Sequence, residues 1–247
     1  LFRSESLPRI RSVLPKAEVG TDPALARSSD LIVLAAPPTA LTDLVRSILP
    51  HLTPSCLVTD VSSVKESVEE SIAPLLKDKA RWIGSHPMAG SEDSGLAAAR
   101  TGLFQNAPVI VTPTASTSPA TLKDATSFWT ALGARVISMS PQIHDQQVAR
   151  ISHLPHLVAA ALVLAAGKNP LPLAGPGYRD TTRVAAGPAG LWAEILLQNR
   201  REVLSAIREF RSATDNLSAA LEKGDARSLE KILDEAAGIR RTLPPLS

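Results

Sequence analysis

Five histidines occur in the 247 residues, and four of them fall in two segments with the makings of a reactive site. The first segment is Gly84-Ser85-His86-Pro87-Met88-Ala89-Gly90-Ser91-Glu92. An imidazole titrates near pH 6.5, so His86 can take a proton at neutral pH. The small residues around it leave room for a substrate. The second segment is His144-Asp145 followed by Ser152-His153-Leu154-Pro155-His156. His153 and His156, three positions apart on a helix, share one side. Such a pair needs a third ligand to hold a metal, and no Glu-x-x-His or cysteine partner accompanies it, so no metal is expected. Two further segments add polar groups. Thr59-Asp60-Val61-Ser62-Ser63-Val64-Lys65 places serines between a strand and a helix, where amides and hydroxyls converge on a ligand. The same serines serve equally well as helix N-caps. Gly177-Tyr178-Arg179-Asp180-Thr181-Thr182-Arg183 carries two arginines whose forks suit carboxylates, in a loop leading into a helix. A pairing of Asp180 with Arg183 at that helix start is compatible with this.

The elements that must position these groups change character near Ser140. Before it, short apolar runs alternate with helical spacing. Leu31 to Ala36 reads as a strand buried on both faces, closed by Pro37-Pro38. Apolar residues at 41, 44, 45, 48 and 49 predict a helix ended by Pro50. Residues 56–61 read as the next strand. Ser62 or Ser63 can cap a helix running to about Leu76, with Glu66 placed for a capping box from Ser63. Strands follow at 82–85, 108–113 and 135–139, with a helix from about Ser118 to Leu132. Strand–helix alternation predicts a parallel, doubly wound sheet, with ligands beyond the carboxyl ends of its strands. There the small residues Ala35 and Ala36, with Pro37, would let a cofactor approach the backbone. From His144 onward the chain reads as all helix: 144–167, a proline-rich loop at 169–177, a long amphipathic helix at 191–222 and a last one at 226–241. The expected domains are 1–140, Rossmann-like, and 141–247, helical.

Composition narrows the classes. The chain is 44% hydrophobic and 20% charged, ordinary for a folded protein. Aromatics make up only 3%, so the core must be aliphatic. The net charge of +2, with both signs interleaved, argues against a nucleic-acid partner. The lone Cys56 excludes an intrachain disulfide and reads as a small buried hydrophobe. No unbroken apolar run reaches the roughly 18 residues of a membrane span, so no membrane association is expected. A cytoplasmic location follows from these features. Twenty prolines outnumber thirteen glycines, and no Gly-x-Gly-x-x-Gly loop occurs.

Four segments, in order, resemble those of prephenate and arogenate dehydrogenases: 60–65, 84–92, 152–156 and 178–183. The resemblance covers almost the whole chain. It implies a Rossmann-type parallel sheet followed by an all-α dimerisation domain, a homodimer, and a small-molecule substrate, prephenate or arogenate, oxidatively decarboxylated with NAD or NADP. It implies that His86 accepts the substrate's hydroxyl proton. Ser63 would bond that hydroxyl or His86 and, with Ser62, align the nicotinamide. Arg183 would pair with a substrate carboxylate, helped by His156 and Ser152. Glu92 would gate the pocket or tune its charge, and Trp192 would sit against the partner subunit's site. The family opens with a strand and a glycine-rich phosphate loop. Here Leu1-Phe2-Arg3-Ser4 reads as the end of the second strand, so the first βα unit is expected to be missing. Arg3 and Ser4 stand where such folds contact the adenosine ribose, and Arg3 leans towards NADP. Two alternatives remain: a β-hydroxyacid dehydrogenase, disfavoured because Lys168 is badly placed as its lysine, or a truncated inactive fragment.

Overall fold

The computed structural model describes residues 7–89 and 99–243. Helix α1 (Leu7–Val13) precedes β1 (Leu31–Leu34), α2 (Pro38–Ile48), β2 (Leu57–Asp60), α3 (Glu66–Leu76) and β3 (Arg81–Pro87). Then come β4 (Pro108–Thr112), α4 (Pro119–Ala131) and β5 (Arg135–Ser138). The five strands form one sheet in the order β1-β2-β3-β4-β5. β1, β2 and β3 run parallel, as do β4 and β5, but β3 and β4 pair antiparallel. The sheet is thus mixed where strand–helix alternation predicts a parallel one. Antiparallel neighbours need no crossover helix between them. β3 also runs past the expected end at Ser85, so His86 lies within the strand, paired with Ile110.

Apolar side chains fill both faces of the sheet. Leu34, Leu41, Val45, Val58, Val68 and Ile72 pack on one side, with Cys56 buried among them as expected. Ile83, Val109, Val111, Ala125 and Trp129 pack on the other. β2 is buried along its whole length. β1 is not: only Leu34 is buried, and Val33 is exposed. Among the described residues β1 is one of the two edge strands, with a neighbour on one side only.

The second half is helical. Ser140 accepts a hydrogen bond from the Ile143 amide and Pro141 opens α5 (Pro141–Val148), earlier than the expected start at His144. A π-helical turn (Ala149–His153) passes into α6 (Leu154–Ala166). The whole helix, Pro141–Ala166, has a mean hydropathy of 1.6 over its most apolar 18 residues, long and apolar enough by composition to cross a membrane. It holds no unbroken apolar run of that length, because charged and polar residues interrupt its first half. Those residues include His144, Asp145 and His153, which are buried against the rest of the chain. Residues 178–183, expected in a loop, are helical: α7 (Pro176–Thr182) runs into a tight turn, Arg183–Ala186. The helix expected at 191–222 is two, α8 (Ala189–Gln198) and α9 (Arg200–Glu222), broken at Asn199. The last helix is α10 (Ala226–Arg241). Ile195 of α8 enters the core of the sheet domain and Trp192 packs against it, so the two halves share apolar contacts.

Candidate active site

A carboxylate buried at the end of a central strand must find partners or lose its charge. Asp60, fully buried at the carboxyl end of β2, finds three. Its Oδ2 accepts from the Ser62 amide (3.0 Å) and from the Lys65 ammonium; its Oδ1 accepts from the Ser85 amide (3.0 Å). Lys65 Nζ also donates to the Ser85 carbonyl (2.7 Å). One ion pair therefore ties the β2–α3 turn to the backbone just before His86. Ser85 is held from its other side as well: its hydroxyl bonds Thr59 Oγ1 (2.7 Å) and accepts from the Trp129 indole N–H (3.0 Å). Gly84 is required here, because a Cβ at that position would come within 2.6 Å of Thr112 Oγ1 and press on Lys65.

His86 is presented on this fixed strand end, 7% exposed. Its Nδ1 lies 2.8 Å from His144 Nε2, and His144 Nδ1 lies 2.7 Å from Asp145 Oδ1. Asp145 also accepts from the amides of Lys65 (2.8 Å) and Glu66 (2.9 Å). These are the first free amides of α3, so Asp145 caps that helix from the other half of the chain. The expected capping box from Ser63 does not form: α3 begins at Glu66, and Ser62 and Ser63 stay in the preceding turn. Asn199 joins the same network, donating to the Asp145 carbonyl (2.8 Å) and lying 3.2 Å from His153 Nδ1. His156 stacks on the Trp192 indole, ring centroids 3.7 Å apart and 14° from coplanar.

Burial, then the neighbouring His144, Lys65 and His153, push the His86 pKa well below the ordinary 6.5. Burial also lowers His144, against the pull of Asp145. Burial takes His153 down to about 4. His156 is lowered by burial, partly offset by the Val184 backbone. The Lys65 ammonium is pushed down by burial while Asp60 pulls it back. The result is a neutral imidazole near the carboxyl end of β3, able to accept a proton.

The residues singled out in the sequence gather unevenly. Ser62 is buried and Ser63 half-buried in the β2–α3 turn. Ala36 and Pro37 follow β1, the parallel neighbour of β2, with Pro37 opening α2. Ser152 is half-buried in the π-helical turn. Arg183 is exposed and starts the turn whose next residue, Val184, reaches His156. Trp192 stacks on His156 within the chain. Arg3, Ser4 and Glu92 lie outside the described residues. Among the described residues, no three His, Cys, Asp or Glu side chains gather as metal ligands; His153 is engaged by Asn199 and His156 by Trp192 instead. The buried Ser62 Oγ, His153 Nε2, His156 Nδ1 and Tyr178 hydroxyl have no hydrogen-bond partner among the described residues. The same holds for His51 Nδ1, which has no assigned role; buried polar atoms are seldom left so.

Residues 15–138 match the family described as prephenate dehydrogenase, nucleotide-binding domain, and residues 140–235 match prephenate dehydrogenase, dimerization domain. The chain belongs to the prephenate dehydrogenase family. A prephenate dehydrogenase of Bacillus subtilis is 35% identical over 210 residues, 83% of this chain. The chain spans only 56% of that relative's length. The structure of Synechocystis arogenate dehydrogenase is 32% identical, with a TM-score of 0.83, covering 97% of this chain and 88% of that one. The Aquifex aeolicus prephenate dehydrogenase in complex with hydroxyphenyl propionate and NAD+ is 28% identical, with a TM-score of 0.88, covering 97% and 86%. These likenesses establish the Rossmann-type sheet with a helical second half, as read from the sequence.

In the sequence Asp60 and Lys65 stand out only as part of a motif, and Asn199 carries no signal. A lysine five residues after a buried strand-end aspartate, with serines between, is the signal that could have found the pair.

Two measurements test this network. Lys65→Met leaves Asp60 buried without its cation and should cost about 3–5 kcal/mol in urea unfolding; a loss below about 1 kcal/mol would mean the pair is solvated. His153 binds its proton less readily folded than unfolded. Stability should therefore be full above about pH 6.5 and decline as pH falls towards 4, by on the order of 3 kcal/mol from this group. Thermal melts of His153→Gln should show a shallower decline over that window, and an unchanged slope would remove His153 as a cause.

Proposed function

We propose that this chain oxidatively decarboxylates prephenate or arogenate with a nicotinamide dinucleotide, a step of tyrosine biosynthesis. The observation that carries the reading is His86, a neutral imidazole fixed near the carboxyl end of the central strand β3 in a member of this family. The substrate is a cyclohexadienol bearing a ring carboxylate. Its hydroxyl gives a proton to His86 as the C4 hydrogen leaves with its electron pair. The bond to the carboxylate then breaks, carbon dioxide departs, and the ring becomes aromatic, which makes the step irreversible. When bound, the oxidised nicotinamide supplies the hydride acceptor.

The residues present fit the nicotinamide half of such a cofactor. The turns at 35–37 and 61–65 follow adjacent parallel strands, where open α/β sheets bind ligands, and the unpartnered Ser62 Oγ lies in the second. No Gly-x-Gly-x-x-Gly cradle for the pyrophosphate occurs in the 247 residues. Ser63 in the same turn would orient the hydroxyl. Arg183 would hold a substrate carboxylate, with Ser152, His156 and Trp192 walling the ring and Glu92 tuning the charge. Arg3 and Ser4 favour NADP. The cytoplasm suits a free, buried Cys56.

A homodimer through the helical half completes the proposal. Its helices expose Ile151, Leu164 (81%), Leu173 (88%), Leu197 and Leu221, apolar side chains that a second copy would cover.

His86→Ala should lower turnover by roughly 10²–10⁴-fold with an unchanged melting temperature. Near-normal turnover would overturn the assignment. The acid limb of kcat/KM should lie below pH 6.5, since His86 stays neutral well under its ordinary value. Arg183→Ala should raise KM about tenfold or more, the worth of a charged hydrogen bond. Assays with prephenate and arogenate, each with NAD and NADP, and of Arg3→Asp, decide substrate and cofactor; an unchanged cofactor preference in Arg3→Asp removes its role.

A further inference from the structure

The hydrogen bonds behind His86 form a directed chain. Both oxygens of Asp145 accept from donors, the Lys65 amide and His144 Nδ1 on one and the Glu66 amide on the other. An acid that meets donors on both oxygens at a helix N-terminus is held as the carboxylate, which only accepts. The proton between Asp145 and His144 therefore sits on His144 Nδ1. A neutral His144 then has a bare Nε2, which can only accept, so the 2.8 Å contact requires His86 to donate from Nδ1. The lone pair of His86 is left on Nε2.

We propose that His144 and Asp145 are positioning residues for the proton transfer assigned to His86, fixing its tautomer and ring orientation so that Nε2 is the base. This rests on the reaction proposed above. The arrangement has the logic of base-orienting triads, in which a third group holds the base and stabilises the imidazolium it becomes. Here two groups do so in series. When Nε2 takes the substrate proton, the positive charge on His86 faces the His144 lone pair and, behind it, the Asp145 carboxylate. The other charged or titratable groups acting on His86 and His144 are Lys65 and Asp60 from the β2–α3 turn and His153 from the π-helical turn. Lys65 opposes the imidazolium, while the carboxylates that act on His144, Asp145 first and Asp60 after it, stand behind that lone pair.

The test separates positioning from packing. In the ¹⁵N-histidine spectrum of the 247-residue protein, His86 should carry its proton on Nδ1, and Asp145→Asn should shift protonation towards Nε2. A proton on Nε2 of His86 in the unaltered protein overturns the proposal. His144→Phe keeps the ring's packing and removes the acceptor, whereas His144→Gln restores an acceptor. Positioning predicts a kcat loss on the order of 10²–10⁴-fold in His144→Phe with KM little changed, and partial recovery in His144→Gln. Equal activity in the two variants, or a loss that follows melting temperature alone, overturns it. Absence of turnover in the unaltered protein counts against the reaction itself, and the tautomer of His86 still decides the positioning.

Discussion

The structure of this site depends on an ion pair sealed inside the sheet, Lys65 with Asp60. Both groups are cut off from water, and neither would be tolerable alone. Together they take up the Ser62 and Ser85 amides and the Ser85 carbonyl, binding the end of β2, the start of α3 and the strand that carries His86 into one unit. A buried pair of this kind does little for net stability, because desolvation consumes most of the attraction. Its contribution is geometric: the backbone under His86 has no alternative set of partners. The same lysine is a fixed positive charge near His86 and helps keep that imidazole neutral before substrate arrives.

Around this pair the two halves of the chain are interlocked by polar and apolar contacts. Asp145 and Asn199 bring the helical half to α3 and His153. Ile195 enters the sheet core, and Thr39 donates to Glu194 (2.9 Å) across the same boundary. The site is therefore made by docking, with the base on the sheet and its supporting imidazole on a helix.

Much of this was legible in the residues. Strand and helix positions followed from apolar spacing, and His86, His144 and His153-x-x-His156 were visible as chemistry in unusual places. The departures share a physical cause, since each depends on a partner far away in sequence. Spacing alone reads 191–222 as one helix, because the break at Asn199 is stabilised by Asp145 and His153, not by a local glycine or proline. The start of α3 was misread because serines in the preceding turn imitate a cap that Asp145 actually supplies. The antiparallel β4 was missed because strand direction leaves no trace in apolar periodicity.

The remote cap on α3 has a consequence for how the chain reaches this state. Its carboxylate lies 80 residues downstream of the Lys65 amide it receives. A contact so distant closes late, because the loop entropy must be overcome before the contact rewards it. Until then the first turn of α3 has two open amides, and Lys65 lacks the ordered turn that aims it at Asp60. The helix start and the orientation of His86 therefore share one remote residue, so whatever loosens Asp145 loosens both.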